Sequence, residues 1–195
     1  DPGTYDYFSY PKWREYFRST RAHNTIAIDG RDQSEMLGPF LWGRRAKAEC
    51  LSWQPTDSGG KVIGKHDGYM HLADPVSHKR MIDLDGREVV VRDDIMAKGR
   101  HKIEVFFHLA EHCQVRLTGK NRYLVDVGPG TLTIDLDPSL EVEEFKGSED
   151  PIYGWVSRGY HQKQASTTLA GRCMSNGNTC LVNRIEIGEP KPAST

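Results

Sequence analysis

The sequence predicts an all-β fold, an antiparallel sandwich of two packed sheets. Three observations predict it. Apolar residues seldom recur at helical spacing along the 195 residues. Most segments are instead short alternating or β-branched runs, and glycine, proline and asparagine turns separate them. A hydrophobic content of 37% with 27% charged residues describes a globular chain long enough to bury a core.

Along the chain, residues 5–19 resist a β reading, and the aromatic-rich "YPKWREYFRS" suits a helical turn or an ordered loop. Residues 25–28 form the first short apolar strand. Farther on, "KHDGYMHLADPVSHKRM" places His66 and Asp67 at a turn with Gly68, and His78 just before a strand. The clearest hairpin is "RMIDLDGREVVVRDDI": Asp85-Gly86 supplies the turn, and Ile82, Val89, Val90 and Val91 flank it. "KIEVFFHLA" reads as a strand with Ile103, Val105 and Phe107 on one face. "CQVRLTGKNRYLVDVGPGTLTIDL" gives three strands broken at 119–121 and 128–130, and "LEVEEF" and "CLVNRIEI" add two more. No internal repeat or low-complexity segment interrupts the series. One domain is expected over 1–188, followed by a polar, Pro-containing tail at 189–195.

Composition narrows the function classes. A formal net charge of -1 provides no basic field for nucleic acid, although the Arg14–Arg45 region is a local basic cluster suited to an acidic ligand. No apolar run approaches the ~20 residues that span a membrane. The four cysteines, Cys50, Cys113, Cys173 and Cys180, form no CxxC pair for zinc. Cys173 and Cys180 flank a hairpin-like loop where a disulfide can be drawn, and two free thiols are the simpler reading. The chain opens at Asp1 with no initiator Met, which reads as an excised or processed piece.

Eight histidines invite a metal or acid/base reading. His101, His108 and His112 lie close together in sequence, but one extended strand seldom gives three ligands a shared point, so structural or surface roles are favoured. His66, Tyr69 and His78 are read as a turn and a strand edge rather than a substrate-facing set. Tyr160 and His161 are the residue types of an acid/base pair, yet neighbours on a strand point to opposite faces and share no proton path. In "YFRSTRAHNTIAIDGRDQSE", guanidinium groups and aromatic rings suit an acidic sugar, with a solvated loop as the bland alternative. Asp1 and His23 are both zinc-ligand types, but two ligands fall one short of the usual minimum.

Residues 1–48, "DPGTYDY…WREYFRSTRAHNTIAIDGRDQSEMLGPFLWGRRAKA", closely resemble the C-terminal β-sandwich domain of the heparinase II/III-like polysaccharide lyases. "HDGYMHLADPVSHKR" and "HKIEVFFHLAE" resemble the family's later strands more loosely, and beyond Val115 the likeness is general β character. The D-x-G-T motif followed by R-x-Y-F-R-S-T-x-x-H-N-T is long and specific.

The resemblance implies an N-terminal α/α toroid joined to this sandwich, with a cleft between them for acidic polysaccharide. It implies cleavage of uronic-acid glycans, heparan-sulfate-, alginate- or exopolysaccharide-like, by β-elimination. The catalytic residues are expected upstream, mainly on the toroid and in an H-x-H segment, so none is expected in this chain and the isolated piece is expected to be inactive. Asp1 and His23 match a structural zinc site whose third ligand is the second histidine of that H-x-H. Arg14, Tyr16 and Arg18 match a segment near the cleft and are the candidate substrate contacts, while Trp42 and Gly43 serve packing and a bend. The expected location is periplasmic or secreted. Two other classes stay open: a non-catalytic carbohydrate-binding or exopolysaccharide-assembly protein, and a stand-alone sugar-binding module.

Overall fold

A computed structural model describes residues 1–189; the tail expected at 189–195 lies outside the described residues except for Glu189. The elements begin with helix α1 (Pro11–Arg18), a 3-10 turn (Thr20–Ala22) and β1 (Ile26–Ile28). Four long strands follow: β2 (Ala48–Thr56), β3 (Gly59–Tyr69), β4 (Val76–Asp85) and β5 (Glu88–Met96). Then come β6 (Arg100–His108), β7 (Gln114–Gly119), β8 (Arg122–Asp126), β9 (Thr131–Asp135) and β10 (Glu141–Lys146). The chain continues through β11 (Ser148–Glu149), β12 (Ile152–Tyr153), β13 (Trp155–Gly159) and β14 (Gln162–Ala165). It closes with β15 (Thr167–Asn176) and β16 (Thr179–Ile187). Strands account for 57% and helices for 6% of the chain, so the fold is all-β as the sequence predicts.

The chain divides into two compact units, each assembled from three segments. The first takes residues 1–46, 100–111 and 141–175. Its main sheet has the order β1-β6-β15-β10, with the small ribbons β11–β12 and β13–β14 beside it. Alternation divides β6 cleanly, with Ile103, Val105 and Phe107 buried on one face. The other face contributes Phe106 to a cluster with Tyr16, Phe17, Ala27, Phe145 and Tyr153. Helix α1 supplies Tyr16 and Phe17 to that cluster. It starts on Pro11, whose missing N–H is no loss in a first turn, and ends where Ser19 becomes extended and returns its amide to the Tyr16 carbonyl.

The second unit takes residues 47–99, 112–140 and 176–195, as far as they are described. It is one eight-stranded antiparallel sheet of order β2-β3-β4-β5-β16-β9-β8-β7. The expected hairpin is β4–β5: Asp85 pairs with Glu88 around Gly86, whose φ of 56° a two-residue turn requires. The expected breaks also fall in place, with Asn121 (φ 55°) between β7 and β8 and Gly128 (φ 89°) between β8 and β9. Residues 66–68 differ from expectation. They lie at a register irregularity near the end of β3 rather than in a free turn. No helix of the described residues is long and apolar enough to cross a membrane.

Candidate functional site

Most polar side chains of the 16–35 stretch are taken up by the fold. Asp32 accepts the Thr20 amide (2.6 Å), and Gln33 donates its amide to Thr20 Oγ1 and its side chain to Thr25 Oγ1. Asn24 Oδ1 accepts the His108 amide (2.7 Å). Asp29 accepts from His101 Nδ1 (2.8 Å) and from the Lys102 amide (2.9 Å). These brackets tie the loops on either side of β1 to one another and to β6.

The three expected substrate contacts are placed apart from one another in role. Arg14 donates from Nε and Nη2 to the Pro39 carbonyl (3.0 and 2.8 Å) and packs over the Tyr7 and Phe40 rings. Arg18 donates to the Gly38 carbonyl and lies 4.0 Å from the centre of the Trp42 ring. Both guanidinium groups therefore hold the 38–42 loop, and the packing expected of Trp42 is present. Tyr16 has no exposed surface. Burial pushes its phenol up to about 12, and the Gly154 and Trp155 amides face its hydroxyl without closing a hydrogen bond. A side chain in that position packs the core rather than offering itself to a sugar.

Asp1 and His23 do meet. Asp1 Oδ2 stands 3.9 Å from His23 Nδ1 at a cavity of about 260 Å³ that Ala22, Asn24 and Trp155 also line. Gly3 explains its own place in the D-x-G-T motif: at φ 84° its amide donates to Asp1 Oδ1 (2.7 Å), and a Cβ there would lie 2.0 Å from the Ser157 carbonyl oxygen. His108 lines the same cavity but is fully engaged. Its Nε2 donates to the Arg21 carbonyl (3.0 Å) and its Nδ1 accepts from Thr168 Oγ1 (2.9 Å). Burial pulls its pKa down to about 4, against the Arg21 carbonyl, so the ring is neutral and structural. Among the described residues no three His, Cys, Asp or Glu side chains gather as a metal site. Two ligands about 2 Å from one zinc stand about 3.3 Å apart in a tetrahedron, so the observed pair fits with a small shift. Burial also lowers the pKa of His23, favouring the neutral imidazole that a metal needs.

A second concavity, of about 380 Å³, was not foreseen from the sequence. Ala27, Glu104 and Arg172 lie across β1, β6 and β15, Ala27 being paired in register with Glu104. Phe106 and Tyr153 line its aromatic side, their rings stacked at 6.0 Å. Glu104 is only 6% exposed; it accepts from Lys102 Nζ (2.9 Å) and faces Arg172 Nε at 3.5 Å. Arg172 also donates to Glu143 (3.0 Å). Arg21 enters from the 3-10 turn and lies over the Tyr153 ring, whose phenol pKa is raised by burial. Glu15, Arg31 and Asp32 complete the rim.

Elsewhere, His66 and His78 pair in register across β3 and β4. The Gly68 amide donates to His66 Nδ1 (3.1 Å), so His66 Nε2 donates to His78 Nδ1 (2.9 Å) and His78 Nε2 to Asp93 Oδ1 (2.7 Å). Arg80 clamps both Asp93 oxygens at 2.6 and 2.9 Å. Burial opposes the charge on Asp93, but the His78 and Arg80 bonds hold its carboxyl below the usual range. Every ring nitrogen is used, and the set is structural, as favoured from the sequence. Tyr160 and His161 overturn their expectation. They form the turn between β13 and β14, where His161 takes φ 56°, and their rings stack at 4.1 Å instead of facing apart. His161 Nε2 donates to the buried Asp6 (2.7 Å). The four cysteines are not joined in disulfides, in keeping with the simpler reading.

A family model described as heparinase II/III-like, C-terminal matches residues 1–184. No curated protein matches the chain. Among solved structures, the chain is similar to the heparan sulfate lyase HepC from Pedobacter heparinus, with 17% identity and a TM-score of 0.77 over 99% of this chain and 29% of that one. It is also similar to a structure of heparinase III, with 16% identity and a TM-score of 0.72 over 100% of this chain and 28% of that one. At such identities the likeness carries the fold, an open antiparallel β-sandwich. The chain spans less than a third of the length of either.

Proposed function

The chain belongs to the heparinase II/III-like, C-terminal family, and on that premise we propose that it is the C-terminal domain of a polysaccharide lyase acting on uronic-acid-containing glycans. The observation that carries this reading is the family match across residues 1–184, nearly the whole described chain. In the reaction, a base takes the C5 proton beside the uronate carboxylate, and its electron pair forms the C4–C5 double bond. The C4–O bond breaks, and the leaving oxygen takes up a proton. The groups that move these protons are expected on an N-terminal toroid domain, and this chain's part is to form one wall of the cleft.

Asp1 and His23 are proposed to hold a structural zinc, completed by a histidine upstream. Such an ion would fix the first residues of the domain to the turn before β1, next to Arg21. The expected setting is periplasmic or secreted. An elimination assay on a longer parent protein tests the reading, following the absorbance of the unsaturated uronate on heparan sulfate, alginate and hyaluronan. Product from at least one of them is expected. Glycan binding with no product from any would move the chain to a non-catalytic carbohydrate-binding or exopolysaccharide-assembly role.

A further inference from the structure

The basin beside Arg21 has the composition of a site for one kind of ligand. Its lining carries four cations (Arg21, Arg31, Lys102, Arg172) and three carboxylates (Glu15, Asp32, Glu104). A phosphate or another compact polyanion would meet those carboxylates at close range, and they would repel it. A neutral, apolar molecule would strand them. A polyhydroxylated ligand with a single negative charge satisfies both signs: its hydroxyls donate to Glu104 and Asp32, and its anionic group pairs with a guanidinium.

Two further observations point to an occupant. Arg21 forms no salt bridge with a carboxylate of the described residues, whereas Lys102 and Arg172 are both paired. Arg172 Nε is buried and closes no hydrogen bond, and Glu104 Oε1 faces it at 3.5 Å. Burying such a donor without a partner is costly, and a ligand hydroxyl in the basin would satisfy it. The volume of about 380 Å³ falls within the range of small-molecule sites and accommodates one sugar ring with its substituents.

We propose that this basin is a subsite for a single uronic-acid residue, with the sugar carboxylate on Arg21 and hydroxyls on Glu104 and Arg172. This deepens the lyase reading, because it names where the domain would grip the acidic chain. It places that grip on Arg21 rather than on Arg14, Tyr16 or Arg18. The planar fork of Arg21 matches a carboxylate in two-point contact, which a lysine cannot reproduce.

The test is an NMR titration of this chain with three probes: a tetrasaccharide of uronic acid, a neutral tetrasaccharide of glucose, and a sulfated neutral tetrasaccharide. The uronic-acid probe is expected to shift amides at Arg21, Ala27, Glu104 and Arg172. Arg21→Gln should weaken its binding about tenfold, and Arg21→Lys should recover only part of the loss. Arg172→Lys, which keeps the charge and removes Nε, provides a second reading if Arg21→Gln lowers the melting temperature. Equal binding of the neutral probe, tighter binding of the sulfated one, shifts confined to other residues, or unchanged affinity in both variants would each overturn the proposal. A parent that eliminates while its Arg21→Gln form binds and cleaves normally sinks this subsite and spares the lyase reading. The reverse result, uronate binding without elimination, does the opposite.

Discussion

Acid should weaken the second unit through His66. The free imidazole titrates near 6.5, whereas in the fold burial first, and the neighbouring His78 next, bring His66 down to about 4. Because the folded pKa is depressed, the unfolded chain binds the extra proton between those values. The stabilisation is therefore complete above pH 6.5 and is lost as pH falls toward 4. At pH 5 the unfolded ring is protonated about 30 to 1 while the folded ring stays mostly neutral, which corresponds to about 2 kcal/mol. The ring is only partly buried, so screening by solvent reduces this to about 1 kcal/mol. In structural terms, the new proton lands on His66 Nδ1, and the bond from the Gly68 amide is lost.

Urea unfolding of the parent chain and of His66→Gln at pH 7.5 and pH 5.0 measures the effect. Glutamine keeps an acceptor for Gly68 and a donor for His78, but it does not titrate. The parent is expected to lose about 1 kcal/mol more than the variant on acidification, the other titrating groups cancelling in the difference. Equal losses in the two proteins would refute the reasoning, because His66 would then carry no depressed pKa.

Asp93→Asn should cost about 3–5 kcal/mol in the same urea assay, since it leaves Arg80 and His78 facing a neutral amide in a buried position; a cost below about 1 kcal/mol would mean the pair behaves as a surface one. Gly3→Ala should lower the thermal midpoint by the equivalent of about 2–4 kcal/mol, because both the φ of 84° and the Ser157 carbonyl oppose a side chain there; an unchanged midpoint would contradict the close approach. A longer protein that includes the upstream histidine should bind one zinc by metal analysis, and His23→Ala should lower its melting temperature. Equal melting with and without a chelator would count against a structural metal.

Local order was readable where one residue type carries the signal. Asp85-Gly86 marks its turn because few other residues take φ above zero, and alternation alone puts Ile103, Val105 and Phe107 on one face of β6, although both faces are buried. His161 takes the same left-handed backbone with no glycine to announce it, so the stacking of Tyr160 on His161 was invisible in the sequence. The His66–His78 pair depends on the register between β3 and β4, which no local pattern specifies. The Arg21 basin is less legible still. Arg21, Glu104, Tyr153 and Arg172 come from distant parts of the chain, brought together by a sheet order of β1-β6-β15-β10. The motif around His23 contains Arg21, but its neighbours Arg14 and Arg18 are occupied by loop carbonyls.

The ties made by the first six residues bear on how the protein is made. Pro2 accepts the Ser157 amide, Tyr5 accepts the His161 amide, and Asp6 holds the His161 ring 155 residues farther on. A ribosome adding about 5–20 residues per second leaves roughly 8–30 s between these partners. For that interval Tyr5 and the aromatic side chains of α1 have been synthesised but lack the strands that cover them. The first unit, assembled from three segments of the chain, therefore cannot close as it emerges and is complete only once β15 has been synthesised.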